Sequence, residues 1–539
     1  MPKLKLSWVF LAVFLLFGLY LRVWHLDFPS IGYHNMKENE YLVPAYYFYE
    51  GDWQGLDILR RPYFLCGVEQ PKCYFEEYPQ IPMLSWVAAL GWLVFGVNFW
   101  WPHMLVVICS LLAIVGIYAL VKQVSKSTYL SLVSAFIFTF LPLGVFFGRN
   151  FQPESPALVF AIFGSYFFVK WIDDPTKQNM GLAGGFFCMA ALMKMTFLIA
   201  LLPLAAIFPY NRLKQKEYYR HFLIFAACFL PFLLWNFVIS GHLNVVEATF
   251  QDTLKRVDLF RVFGAQYWND YLPTLQAYTL DNFAGWYFKF AILGLIAMVI
   301  TWRERISRYM LAYALSIVPY LMMLADYFKG HSYYQYPFLP VVAIASAYLL
   351  WWAGKLLVRL SSRKLLLFLP LLIMIPTYNA VQERINVQYD TLFYGLDVGG
   401  KYIQDHTAEN EYFYMVGHPQ TVGVCFAAKR VCPGMPRSNV SMVIKGENNL
   451  NISYVFVHGQ QGMALLQEFP QTWEHVSNSY HIVSIGFFRF GDNILPQYFI
   501  LKRGGNFTLN SQLAGPSFEA RTYTTKTQGT LTLYEMDLE

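Results

Sequence analysis

Apolar runs of membrane-spanning length recur from the N-terminus to about residue 380, and no single water-soluble core would bury so many. They lie near 8–24, 103–121, 129–147, 156–172, 181–193, 196–210, 221–239, 284–302, 309–326, 337–354 and 365–380. That is about eleven spans, with 181–193 and 196–210 short enough to be tilted or broken. A further stretch, 83–97, reads better as a helix lying at the interface than as a span. The 539 residues are 56% hydrophobic with a mean hydropathy of +0.36, which excludes a soluble globule. The sequence therefore predicts a polytopic α-helical membrane protein.

Loop charge sets the orientation. With the N-terminus cytoplasmic, the inward turns carry Lys3 and Lys5, Lys122 and Lys126, Lys177, Arg212 with Lys214 and Lys216, Arg303 with Arg305 and Arg308, and Lys355 with Arg359, Arg363 and Lys364. This is the positive-inside pattern of a multi-pass plasma-membrane protein. The loops 25–102 and 240–283 and the tail after 380 then face outward. The first apolar segment lacks a small-residue cleavage site after Trp24 and reads as an uncleaved span. The inner loops account for the net charge of +6, which gives no support to a nucleic-acid partner.

Composition changes after Tyr378. Short alternating stretches near 412, 454, 482, 498 and 529 read as strands and 462–468 as a helix, predicting an extracytoplasmic mixed α/β domain over 381–539 behind a membrane module over 1–380. Cys109, Cys188 and Cys228 fall within spans. The other four form two C-x6-C pairs, Cys66 with Cys73 and Cys425 with Cys432. Both are on the outward side and are candidate disulfides; the spacing fits a zinc knuckle less well.

Polar residues cluster at the outward turns. The first loop gathers His34, Lys37, Glu38, Glu40, Glu50, Asp52, Glu76 and Glu77 in a chain with only 14% charged residues. On a helix Glu38 and Glu40 would point about 200° apart, so one of them is expected to act. Pro44 suits a first helical turn better than an interior, which predicts a helix starting near Tyr41 with both glutamates before it. The same carboxylates would serve equally to solvate the loop or cap that helix. Arg149 and Glu154 sit at a turn between spans, where interfacial anchoring is the simpler role. Lys194 stands in an otherwise apolar stretch and would either snorkel or bind a phosphate. The cluster from Asp326 to Pro340 brings Lys329, His331, Tyr333, Tyr334 and Tyr336 to the same side, where an aromatic belt is the alternative.

In order along the chain, KENEYLVPAYYFYEGDW, EEYPQIPMLSW, LVFGVNFWW, GRNFQPESPALVF, ALMKMTFLIALLP and GHSYYQYPFLPVVAIASA resemble the motifs of the GT-C glycosyltransferases. The likeness is to the bacterial relatives of dolichyl-phosphate-mannose protein mannosyltransferases and of the lipid A aminoarabinose transferase. It covers roughly residues 8 to 350. Three positions depart: Lys37 stands where the family usually has the Asp of its acidic pair, Met195 replaces a Gly, and Gln80 interrupts a Pro-Pro pair.

The resemblance implies transfer of a sugar from a polyprenyl phosphate to an acceptor at the outer face, with inversion at the anomeric carbon. Glu38 would be the base or acceptor-orienting group, with Glu40 second. Lys37, Glu77 and Glu154 would bind substrate; Arg149, Lys194 and His331 would face the phosphate; Tyr333 and Tyr334 would line the pocket. No cofactor is required by the spacing, although a divalent metal ion near His331 or Glu77 is compatible with it. Partners would be the polyprenyl-phosphate sugar, membrane lipids and a protein, glycolipid or polysaccharide acceptor. A transporter or lipid flippase is the rival class, but transporters place ionisable groups at mid-membrane and show inverted repeats.

Overall fold

The computed structural model describes residues 6–51, 61–62, 74–75, 81–239, 264–328, 330–506 and 516–538. In chain order the first helices are α1 (Leu6–Arg22), α2 (Asn35–Tyr49), α3 (Met83–Phe95), α4 (Trp100–Ser125), α5 (Thr128–Phe140), α6 (Pro142–Phe146), α7 (Glu154–Asp173) and α8 (Lys177–Lys194). Two compact units emerge. One comprises Met1–Leu26, Glu76–Leu84 and Trp100–Ile385; the other comprises Asp27–Phe75, Ser85–Phe99 and Asn386–Glu539.

The first unit is helical. Among the described residues, seven helices are long and apolar enough to cross a membrane, or eight if the bent pair Gln266–Phe283 and Trp286–Ile300 counts as one span. That pair turns through 98° at Ala284 and Gly285, both in the left-handed region (φ 50° and 63°). α1 and α5 are shorter apolar helices, as is α3, most of which belongs to the second unit.

The expected span 129–147 breaks at Leu141, where α5 ends and Pro142 opens α6. A helix end inside an apolar environment needs partners for its last carbonyls. Arg22, fully buried, supplies them: it donates to Thr139 O at 3.0 Å, Gly144 O at 2.9 Å, Gly18 O at 3.0 Å and the Ser110 hydroxyl at 2.7 Å. Backbone carbonyls thus satisfy a buried cation, and one side chain ties α1, α4, α5 and α6 together. The Lys177–Ala205 stretch is continuous as a helical region, but Lys194 itself is extended (φ −162°, ψ 106°). The chain is therefore interrupted between the two short segments expected at 181–193 and 196–210.

The second unit is built on a mixed sheet. Besides the two-residue pair β1 (Arg61–Pro62) and β2 (Tyr74–Phe75), it contains β3 (Tyr412–Val416), β4 (Ile452–His458), β5 (Tyr480–Phe490), β6 (Asn493–Arg503), β7 (Ser517–Thr524) and β8 (Thr530–Asp537). The spatial order is β3-β4-β6-β5-β8-β7, with β3 and β4 parallel and the other pairs antiparallel. Five of the six strands carry the alternating apolar stretches read from the sequence. The sixth, SFEARTYT, is largely polar and exposed, as an edge strand tolerates. Ile31 and Val43 from the first loop enter the same apolar core as Leu396, Phe413, Phe456 and Tyr498. Cys425 and Cys432 form a disulfide; Cys66 and Cys73 lie outside the described residues.

Candidate functional site

In the sheet-containing unit, α2 carries both loop glutamates inside the helix, correcting the expectation that it starts near Tyr41. Pro44 falls in the interior and forfeits the amide that would bond the Glu40 carbonyl. Tertiary contacts outweigh that loss. His34 sits left-handed at the N-terminus (φ 58°), and the first-turn amide of Met36 donates to Gln420 Oε1 at 3.1 Å. Ser85 donates to the Tyr41 carbonyl at 2.8 Å.

The two glutamates are buried and have different partners, as their spacing demands. Lys37 pairs with Glu40 at 2.5 Å, one turn along the helix. The Ser30 hydroxyl donates to Glu38 Oε2 at 2.6 Å. Asn39 Nδ2 donates in turn to Ser30 Oγ at 3.3 Å and to Asn35 O at 2.9 Å. A chain Asn39–Ser30–Glu38 results, in which each bond polarises the next. Ser30 and Asn39 were not legible as site residues, since a single Ser eight positions before a Glu has no periodic signature.

In the helical unit, five of the predicted residues meet. Lys194 Nζ lies 2.5 Å from Glu154 Oε1, with the two side chains 10% and 2% exposed. The same ammonium stands over the rings of Tyr333 and Tyr334, 5.0 and 4.6 Å from their centroids. His331 stacks obliquely on both tyrosines at 5.2 and 5.9 Å. The position arises because α8 ends at Lys194 and α7 begins at Glu154, while a 3₁₀ stretch from Ser332 to Phe338 carries the tyrosines.

Arg149 is directed elsewhere. Its guanidinium donates to the Trp24 and His25 carbonyls, the latter at 3.2 Å, anchoring the turn after α1. Gln152, two residues before Glu154, is buried with both amide atoms lacking a hydrogen-bond partner, as is Glu154 Oε2. Buried polar atoms of this kind suit a ligand with its own hydroxyls. Among the described residues no three His, Cys, Asp or Glu side chains gather as a metal site. Glu77 and Lys329 lie outside the described residues.

These features define a mostly helical membrane protein that carries a mixed-sheet unit. The fold is similar to that of solved oligosaccharyltransferase and ArnT structures. Residues 78–235 match the family model described as dolichyl-phosphate-mannose-protein mannosyltransferase. The oligosaccharyltransferase AglB from Archaeoglobus fulgidus, solved with an inhibitory peptide and a dolichol-phosphate, matches with a TM-score of 0.60 at 13% identity, over 95% of this chain and 75% of its own. The oligosaccharyltransferase of the same organism, tethered with an acceptor peptide containing the NVT sequon, gives 0.59 at 14% identity over 92% and 74%. ArnT from Cupriavidus metallidurans bound to undecaprenyl phosphate gives 0.56 at 12% identity over 95% and 100%. At these identities the likeness is one of fold. No curated protein matches in sequence.

Proposed function

We infer that this protein is a glycosyltransferase that moves a sugar from a polyprenyl-phosphate donor to an acceptor hydroxyl at the outer face of the membrane, inverting the anomeric carbon. The supporting observation is Glu38, a buried carboxylate held by a hydroxyl in a loop whose order of motifs resembles that of the GT-C enzymes. Two relatives in fold were solved with a polyprenyl phosphate, which supports a lipid-linked donor. A third carries an acceptor peptide, so a protein acceptor is the first to test, followed by glycolipid and polysaccharide.

In the proposed step the acceptor oxygen bonds the anomeric carbon on the face opposite the phosphate. Its proton passes to a Glu38 carboxylate oxygen. The bond from that carbon to the phosphate oxygen breaks, and the polyprenyl phosphate leaves with the electron pair. A phosphate leaving group is already a weak base and needs cations rather than an acid. Lys194 and His331 would neutralise it, and Arg149 would join them only by leaving the Trp24 and His25 carbonyls. Tyr333 and Tyr334 would line the sugar pocket, with Glu154, Glu77 and Lys37 as further binding groups and Glu40 as the second candidate base. We assign about eleven spans to a membrane module over 1–380 and an extracytoplasmic domain to 381–539, with the N-terminus cytoplasmic.

The test uses the purified chain in nanodiscs with a panel of radiolabelled mannose, glucose, galactose and arabinose polyprenyl phosphates. Wild type should release polyprenyl phosphate, and Glu38→Gln should lower turnover by about 10²–10⁴-fold. Turnover that survives in Glu38→Gln but disappears in Glu40→Gln would move the base. Movement of lipid across the bilayer without sugar transfer would refute the enzyme and favour a flippase.

A further inference from the structure

The helical unit holds an apolar groove of about 880 Å³, lined by none of the residues assigned above to sugar transfer. Three helix faces line it. Phe14 and Phe17 come from α1, Leu132 and Phe136 from α5, and Phe368 and Ile375 from the last membrane-length helix, Lys364–Asp390. The rings of Phe14 and Phe136 lie 5.0 Å apart, so the first two faces are already closed on each other.

The third face stands off from them. Only 17% of the apolar window of Lys364–Asp390 is buried, and its first ten residues are wound as a 3₁₀ helix, a long run for that geometry. The helix is pinned at two points. Near its start the backbone passes so close to Gly354 that a Cβ there would lie 2.5 Å from Leu367 O, and Tyr129 donates to the same carbonyl at 3.1 Å. Further along, the Tyr287 and Thr377 hydroxyls bond at 2.9 Å. Between the two pins the side facing α1 and α5 is the cavity.

Charge marks one mouth. Tyr129, whose ring packs 5.4 Å from Phe368, closes the end next to the chain segment 355–364. That segment carries Lys355, Arg359, Arg363 and Lys364, and no acidic residue occurs between Tyr327 and Gln382. Arg363 and Lys364 are exposed. By the distribution of loop charge this is the cytoplasmic end of the spans.

We propose that the groove between α1, α5 and the last membrane-length helix binds one acyl chain of an anionic phospholipid, whose phosphate is held by Arg363 and Lys364. Apart from Tyr129, Tyr378 and Asn379 the lining is apolar and suits a hydrocarbon chain, and the basic mouth selects the headgroup. The lipid completes the packing of a helix that the protein alone covers poorly. The site is separate from the Glu154–Lys194 cluster and does not depend on the sugar-transfer reading.

The test is native mass spectrometry of the full-length chain, delipidated in detergent and titrated with phosphatidylglycerol or with phosphatidylcholine of the same chains. One tightly retained phosphatidylglycerol is expected, preferred over phosphatidylcholine by about tenfold or more. Val133→Trp, which fills the groove, should abolish retention. Arg363→Glu with Lys364→Glu, both at exposed positions where folding is not at stake, should remove the headgroup preference and leave weak binding of either lipid. Equal retention of the two phospholipids by wild type, or retention unchanged in both variants, would overturn the proposal. Displacement of phosphatidylglycerol by equimolar undecaprenyl phosphate would also overturn it and make the groove a seat for a donor tail.

Discussion

Replacing Lys194 by Met tests the Glu154–Lys194 pair through stability and activity at once. The two charges are 2.5 Å apart and almost fully removed from solvent. At an effective dielectric of about 20 they attract by about 7 kcal/mol, much of it offset by the desolvation of both ions. Deleting the ammonium strands a buried carboxylate, which costs about 3–5 kcal/mol in comparable pairs. For a chain of this size a kcal/mol corresponds to roughly 2 °C or less of melting temperature, so Lys194→Met should melt about 5 °C lower in detergent. Glu154→Gln combined with Lys194→Met leaves no orphaned charge and should recover most of that loss. Activity should not follow stability. If the ammonium also neutralises the leaving phosphate, the double variant stays at least tenfold below wild type in turnover with the same polyprenyl-phosphate donor. Thermal melts and single-turnover rates on wild type, both single variants and the double variant complete the cycle. A Lys194→Met protein that melts like wild type would refute the buried pair, and full activity in the double variant would refute the phosphate role.

Two further outcomes follow from the sheet-containing unit. A Cβ at Gly423 would stand 2.8 Å from the Ser30 carbonyl, so Gly423→Ala should displace Ser30 from Glu38 and lower kcat severalfold with little change in KM for the donor; unchanged kcat would detach Ser30 from the chemistry. His458 is pushed by burial from 6.5 down to about 4, although its bond to the Tyr394 carbonyl at 3.2 Å works the other way. The unfolded chain then takes up the proton first, and stability present above about pH 6.5 is lost as pH falls toward 4, by about 3 kcal/mol when complete. Protection factors of the β4 amides, exchange rates corrected for the intrinsic pH dependence, should therefore fall over that interval in wild type and much less in His458→Asn; an equal fall in both would place the titrating group elsewhere.

What the sequence disclosed and what it concealed divide along physical lines. Spans and strands announce themselves by period and length, so α4, α7 and five of the six strands of the main sheet were legible, while the polar edge strand β7 was not. The meeting of Glu154, Lys194, Tyr333 and Tyr334 was legible as residues gathered at outward turns, but the ion pair itself depends on where α8 stops. Arg22, at the end of the first apolar run, has no sequence pattern that marks its role. Its role comes from the break at Leu141–Pro142, whose freed carbonyls lie more than a hundred residues away. The start of α2 was misjudged because a local rule about Pro44 was set against contacts that no local rule contains, with Gln420 satisfying an amide 384 positions earlier.

That last contact bears on how the candidate base is held. Glu38 is on a helix whose first turn is bonded by Gln420, whose Ser30 partner abuts Gly423, and whose Val43 packs in the core with Leu396 and Phe456. All of these belong to one compact unit with the six-stranded sheet. Composition changes where the apolar spans end, near Tyr378, whereas packing joins the first loop to the tail. Ser30, Lys37 and Asn39 bond locally around the two glutamates, and the sheet with its disulfide adds contacts from distant sequence that hold the helix in place. On this reading the tail is the support of the proposed catalytic carboxylate. Substitutions in the Gln420–Gly423 segment should then change turnover without touching substrate.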